Sequence, residues 1–474
     1  MKRYLILAAA AALVFCSCNS SESAAPAPKE KPRVVALTDA EIDDQCSMVR
    51  FMLSLNEYEL EGIVTTSSMF HWHGHSWAGD DWLDPYLDAY EQIYPNLIKH
   101  DPDFPEPAYV RSVSVLGNCD DQGEMEQVTP GSELIVNLLL DETDSRPVWF
   151  QAWGGTGTLA RALKTIEEEH PEKMEYVASK VKMFLIWEQD DSFDKYIRPV
   201  WGKYNMLTVN SDQFNAFAYI AGRVQPQENQ KYFQGDWIRE NIIDGHGPLC
   251  ALYHTGWGGG FLSEGDSPSY FHMMDVGLRN ADHPEWGGWG GRYVYVRDNT
   301  YLDPVPKGIE VTDSTYTTGR YGPGGAFNAM SPEATPEQKA DYYADITMWS
   351  AAVQEDLAAR ADWCLLPYEE ANHAPVAVVK GSLDIEAAAG STVKLDASAS
   401  SDPDGDALLF NWFQYEDAGT CRSLAAIAGA DSPKAKVTVP SDAQSGDTIH
   451  VICAVKDDAA APFTRYQRVI ITVK

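Results

Sequence analysis

Five short apolar runs, "RVVAL" at 33–37, "LEGIVTT" at 60–66, "PVWFQAW" at 147–153, "KVKMFLIW" at 180–187 and "YNMLTV" at 204–209, are separated by long stretches rather than by tight turns. Runs that are apolar on consecutive residues have no face for water, so each needs cover on both sides, as strands of a parallel sheet have. The stretches between them read as helices. "DDQCSMVRFMLSL" after the first run puts Met48, Phe51, Met52 and Leu55 at helical spacing. "TGTLARALKTIEEEHP" after the third does the same with Leu159, Ala160, Leu163 and Ile166. The alternation predicts an α/β fold with a doubly wound, mostly parallel sheet, whose ligands bind beyond the carboxyl ends of the strands.

Three further regions complete the organisation. A Gly/Trp-rich region, from "GPLCALYHTGWGGGF" to "NADHPEWGGWGGRYV", reads as ordered loops over the sheet, and residues 335–365 as one long amphipathic helix or two. After about Pro375 the pattern changes to alternating strands with turn residues between them, which predicts an all-β, immunoglobulin-like sandwich of about seven strands over 375–474. "LDASASSDPDGD" followed by Trp412 resembles PKD and cadherin-like modules, with Asp402, Asp404 and Asp406 alternating either as a calcium loop or as an ordinary acidic turn.

The N-terminus is a targeting segment. "MKRYLILAAAAALVFCSC" has a basic start, an apolar stretch and then cysteines among small residues, and it resembles a bacterial lipoprotein signal over residues 1–18. Cys18 is the expected lipidation site, with Cys16 second, and residues 19–32 read as a flexible tether. The expectation is a protein of the bacterial cell envelope, held to the membrane by its lipid on the periplasmic face or the cell surface.

The chain carries 36 Lys+Arg against 70 Asp+Glu, a net charge of −34. That balance argues against nucleic acid as a partner and favours a neutral substrate or a cation. The 14 Trp and 23 Tyr supply flat rings that suit sugar faces, and a carbohydrate is the expected ligand.

The first apolar run ends in "LTDAEIDD", which crowds Asp39, Glu41, Asp43 and Asp44 into six residues at the sheet's binding edge. Carboxylates that close raise each other's pKa unless a cation sits among them. The helix dipole favours Asp43 and Asp44 but does not require Asp39. Either the group is splayed into water or it holds a hard divalent cation with oxygen ligands.

The order T-D-x-x-x-D-D, carried by Thr38, Asp39, Asp43 and Asp44, resembles the signature D-T-D-x-G-x-D-D of the nucleoside hydrolase superfamily, with Leu37 and Glu41 standing at its first Asp and its Gly. "EIDDQ", "WGGTGTLARAL", "EGDSPSY", "PEWGGWGGRY" and "ARADWC" extend the likeness, over 33–370, to secreted nucleoside-hydrolase-like bacterial proteins, some named as cellulose-binding. The resemblance implies that Asp39 binds Ca2+ and is base toward a metal-bound water, that Asp44 is a bidentate ligand and that Asp43 holds a sugar hydroxyl. It implies a ligand carbonyl from Thr156 or Gly157, and a last carboxylate from Asp266, with Asp282 as second candidate. The departures at Leu37 and Glu41 and the missing His before Asp266 point away from nucleosides.

The implied activity is calcium-dependent hydrolysis of glycosidic bonds; a non-catalytic carbohydrate binder and a nucleoside N-ribohydrolase are the alternatives. Candidates for the leaving-group acid are His71, His73 and His75, Glu188 and Asp190, and His254, while Gln189, Asp190, Trp289 and His71 are candidates for sugar contact. No Lys follows the glycines of "WGGTG" and no G-x-S-x-G occurs, which argues against a phosphate loop and a serine esterase elbow.

Overall fold

The computed structural model describes residues 30–256, 259–309 and 334–474. The signal segment with Cys16 and Cys18, and most of the tether, lie outside the described residues. From Pro32 to Lys474 the chain forms one compact unit.

All five apolar runs are strands: β1 (Arg33–Thr38), β2 (Glu59–Thr65), β4 (Val148–Ala152), β5 (Val181–Ile186) and β6 (Leu207–Ser211). With β3 (Ser114–Leu116), β7 (Val294–Arg297) and β8 (Thr300–Leu302) they form an eight-stranded sheet in the order β3-β2-β1-β4-β5-β6-β8-β7. Every pairing is parallel except that of β7 with β8. Both faces are covered: Val34 and Ala36 enter one apolar core, Val35 and Leu37 the other, as side chains alternating along a strand must. Met48, Phe51 and Met52 of helix α1 (Ile42–Met52) lie in the first core, and Leu159, Leu163 and Ile166 of helix Gly157–Glu169 in the second.

The chain leaves β1 for β2 and β3 on one side, then crosses back to build β4, β5 and β6 on the other. The strand order therefore reverses between β1 and β4, the place where open α/β sheets leave a crevice at their carboxyl ends. The loop after β1 is pinned there. Trp153 N and Gly154 N both donate to Leu37 O, at 2.8 and 3.2 Å, and Thr66 N donates to Thr38 O at 2.7 Å.

The expected long helix is two, Pro336–Thr347 and Ser350–Asp362, the first opened by a capping box between Thr335 and Gln338. The sandwich has seven strands, β9 (Asp384–Ala387), β10 (Thr392–Asp396), β11 (Leu409–Gln414), β12 (Ala426–Ala428), β13 (Lys434–Thr438), β14 (Thr448–Lys456) and β15 (Thr464–Val473), in sheets ordered β10-β13-β12 and β11-β14-β15-β9, with Trp412 in their shared core. It does not hang from a linker. Tyr466 N and Arg468 N donate to the carbonyls of Val276 and Gly277, at 2.7 and 3.2 Å. The buried Arg468 guanidinium reaches Leu278 O at 2.6 Å and Gly287 O at 2.7 Å. Tyr415 OH adds a bond to Asp345 Oδ1 at 2.6 Å.

Candidate metal centre

Ala40 sits between β1 and α1 with φ 63°, in the left-handed region that a residue with a Cβ enters at a cost of roughly 1–2 kcal/mol. That turn folds Glu41 back beside Asp39, where Glu41 N donates to Asp39 Oδ1 at 3.3 Å. Asp44, in the first turn of α1, accepts from Thr38 Oγ1 at 2.5 Å and from Asp39 N at 3.1 Å. Asp266 arrives from the start of the short helix Ser267–Phe271 and takes a bond from Ser47 Oγ at 3.3 Å. Asp43, Asp44 and Asp266 each bring one oxygen within 4.8 Å of the others, and all three are buried. Two glycines allow this crowding: a Cβ on Gly154 would stand 2.6 Å from Asp39 Cβ, and one on Gly265 would stand 2.6 Å from Asp43 Oδ2.

The electrostatics are those of uncompensated negative charge. Burial first, then Glu41 and Asp39, pushes the Asp43 carboxyl up to about 8. Burial and the neighbouring aspartates hold Asp44 and Asp266 well above the carboxylate range. Glu41 is raised by burial and Asp39. Burial opposes protonation of His71, but Asp39 and Glu41 beside it outweigh that and raise its pKa. The buried arginine of α1 does not help: Arg50 grips Glu264, with Nε to Oε2 at 2.5 Å and Nη2 to Oε1 at 2.9 Å. Asp39 Oδ2 is buried and accepts no hydrogen bond among the described residues. An all-oxygen set of buried acids with an orphaned oxygen fits a hard divalent cation such as Ca2+.

The structure thus gathers Asp43, Asp44 and Asp266, sets Asp39 beside them through its N–H to Asp44 Oδ1, and puts His71 Nδ1 3.6 Å from Asp39 Oδ2. Other expected site residues have different duties. Gly157 is tied to Asp190 rather than to the carboxylates: its N donates to Asp190 Oδ2 at 3.1 Å, and it is Gly154 that abuts Asp39. Asp190 also accepts from Ser192 N at 2.8 Å and Ser192 Oγ at 2.6 Å, so it fastens two loops and has no oxygen to spare for a substrate. Gln189 Nε2 is spent on the carbonyls of Trp153 and Ile186. Glu188 accepts from Asn210 Nδ2 at 2.9 Å, with its carboxyl pushed up to about 8 by burial and by Asp194.

Trp289 is a correction. It is 1 % exposed, lies edge-on to Tyr466, and donates from Nε1 to Tyr466 OH at 3.4 Å, so it offers no face to a sugar. Asp282 is exposed and pairs with Lys182, away from the acidic group. His73 is held between Asp120 and Asp80 at 2.8 and 2.9 Å, His75 stacks on Trp72 at 4.2 Å, and His254 Nε2 meets Gln45 Oε1 at 2.9 Å. Sequence reading missed Tyr219, whose OH donates to Glu41 Oε1 at 2.9 Å across 178 residues of chain, and no local pattern marks it.

A parallel sheet whose switch point carries clustered aspartates, followed by a docked sandwich, defines a nucleoside-hydrolase-like protein with a β-rich C-terminal domain. Residues 33–293 match the family described as cellulose-binding Sde182, nucleoside hydrolase-like domain, and the chain belongs to it. Residues 392–473 match the C-terminal domain of cellulose-binding protein Sde0182. A solved nucleoside hydrolase-related hypothetical protein from Saccharophagus degradans, described as associated with carbohydrate metabolism, is 30% identical, with 94% of this chain and 100% of that chain covered and a TM-score of 0.73. The inosine-uridine preferring nucleoside hydrolase from Bacillus anthracis is 13% identical, over 57% of this chain and 93% of its own, with a TM-score of 0.31 that carries no weight here. No curated protein matches the chain.

Proposed function

We propose that the protein binds carbohydrate at a Ca2+-dependent site and hydrolyses a glycosidic bond there. The observation that carries this reading is Asp39 Oδ2, a buried carboxylate oxygen with no hydrogen-bond partner among the described residues, whose backbone N–H is bonded to Asp44 of the buried trio Asp43, Asp44 and Asp266. When bound, Ca2+ held by Asp39, Asp44 and Asp266 supplies the positive charge these acids lack and orients sugar hydroxyls and water. Asp39 Oδ2 takes the proton of the water that attacks the anomeric carbon, a role worth roughly 10²–10⁴-fold, as the bond to the departing oxygen breaks and that oxygen gains a proton from solvent. Asp43 accepts a hydrogen bond from a ring hydroxyl, which strengthens as the sugar becomes oxocarbenium-like. Under this reading the protein works at the bacterial cell envelope, held by a lipid at Cys18. The family descriptions, which name cellulose binding, support the choice of carbohydrate over nucleosides.

A second reading, binding without cleavage, is favoured by one observation. Glu188 and Asp190, two of the candidates for the leaving-group acid, are engaged in hydrogen bonds within the protein. Long incubation with cello-oligosaccharides in Ca2+ separates the two readings. New reducing ends that disappear in Asp39→Asn support hydrolysis; tight binding without them leaves the binder; free base released from inosine would mean an N-ribohydrolase.

A further inference from the structure

We propose that Asp39, Glu41 and His71 form a second cation site, of mixed oxygen and nitrogen donors, which takes a divalent transition metal of the zinc type at the rim of the carboxylate centre. The three residues each offer one ligand atom, and these atoms lie within 4.8 Å of one another. His71 Nδ1 is 3.6 Å from Asp39 Oδ2 and 3.5 Å from Glu41 Oε2. Those separations are too long for N–H···O hydrogen bonds, which close at about 2.7–3.2 Å. They match donors held about 2.1 Å from one ion at tetrahedral angles, which stand roughly 3.4 Å apart.

Two of the three atoms make no hydrogen bond among the described residues. Asp39 is 1 % exposed, and neither its Oδ2 nor His71 Nδ1 has a hydrogen-bond partner among the described residues. The remaining polar atoms are used in ways that aim these two. Asp39 Oδ1 takes Glu41 N, and Glu41 Oε1 takes Tyr219 OH, which leaves Oε2 turned to His71. The His71 backbone is fixed by Ser68, whose Oγ accepts His71 N at 3.2 Å and whose N donates to His71 O at 2.8 Å.

The imidazole separates this site from the all-oxygen group behind it. Nitrogen donors suit zinc, copper, nickel and iron, whereas Ca2+ prefers oxygen alone. The side chains of Glu41 and His71 are 27% and 15% exposed, so an ion has a path in and a coordination position facing out. Occupation would draw on Asp39 Oδ2 and so remove it from proton transfer. That consequence rests on the hydrolytic reading above; the binding itself does not.

The test titrates Co2+, a visible-absorbing stand-in for zinc, into the full chain in saturating Ca2+. The expected result is one Co2+ per chain with ligand-field absorption, displaced by Zn2+. His71→Ala should weaken it by at least about 100-fold while Ca2+ affinity by calorimetry stays as in the wild type, and Glu41→Gln should weaken Co2+ binding by a similar factor. Calcium binding serves as the check on folding, and the metal readout holds whether or not any glycan is cleaved. Co2+ uptake that is absent, that survives His71→Ala, or that is lost together with Ca2+ binding in that variant would overturn the proposal.

Discussion

Arg50 and Glu264 form a bidentate pair in the protein interior, and that pair withholds the arginine from the carboxylates at the other end of its own helix. The guanidinium also donates to Val353 O at 2.8 Å, and Glu264 accepts from Ser267 Oγ at 3.0 Å, so both partners are saturated by their surroundings. Charge neutrality is local: the pair closes on itself, and Asp43, Asp44 and Asp266 stay short of a cation.

Breaking that pair on one side should be severe. Arg50→Met leaves Glu264 buried and alone, at a cost of about 3–5 kcal/mol. The double variant Arg50→Met with Glu264→Gln should recover much of that loss. Chemical denaturation of the three proteins checks it, and equal loss in single and double variants would contradict it.

Asp44→Asn should act in opposite directions with and without Ca2+. The amide keeps an oxygen for Thr38 Oγ1 and Asp39 N while removing an acid that burial and its neighbours make costly to ionise. The metal-free variant should melt higher than the metal-free wild type. The wild type should gain about 2.7 kcal/mol at a Ca2+ concentration of 100 times Kd, and the variant should gain nothing. Thermal scans in chelator and in Ca2+ read both effects.

Asp303 predicts a loss of stability as pH rises from about 4 to about 8, away from the metal centre. Burial, then Asp212, pushes its carboxyl up to about 8, although it accepts from Asp212 N at 2.5 Å and Ser211 Oγ at 3.2 Å. The folded state therefore keeps a proton that the unfolded chain gives up near its ordinary value of about 3.9. The stability this contributes is complete below that value and falls as pH rises toward 8, by up to about 1.4 kcal/mol per pH unit. Asp303→Asn should remove that slope, so the difference in melting between variant and wild type must widen from pH 5 to pH 8.

Gly277→Ala should disrupt the seam between the two β-rich parts. Gly277 has φ +94°, and a Cβ there would stand 1.8 Å from Tyr466 O. Fluorescence of Trp289, which leans on Tyr466, should report the displacement, with a lower melting temperature and faster proteolysis of the sandwich.

Most of the sheet was legible because its signal is local. Five apolar runs lie where β1, β2, β4, β5 and β6 lie, and the acids after β1 point to the sheet's binding edge from sequence alone, although the reversal of strand order between β1 and β4 does not show there. What was illegible depends on partners distant in sequence. Trp289 in a glycine-rich loop looks like a sugar platform until Tyr466, 177 residues later, closes over it. Asp190 at the end of a strand has the composition of a substrate contact. Its assignment to the loop follows from the backbone amides of Gly157 and Ser192, whose positions no residue type encodes. His71 was named for sugar contact, but its approach to Asp39 and Glu41 follows from the left-handed turn at Ala40, an angle that alanine does not advertise.

The seam at Val276, Gly277 and Leu278 also bears on how this protein can be dissected. Cutting away residues 375–474 would strand those carbonyls without donors and strip Trp289 of its cover, so the shortened chain would be a wounded protein rather than a smaller one. A transplanted sandwich would have to bring an arginine equivalent to Arg468 and find a glycine waiting for it. Modules joined in this way have to be exchanged as a couple.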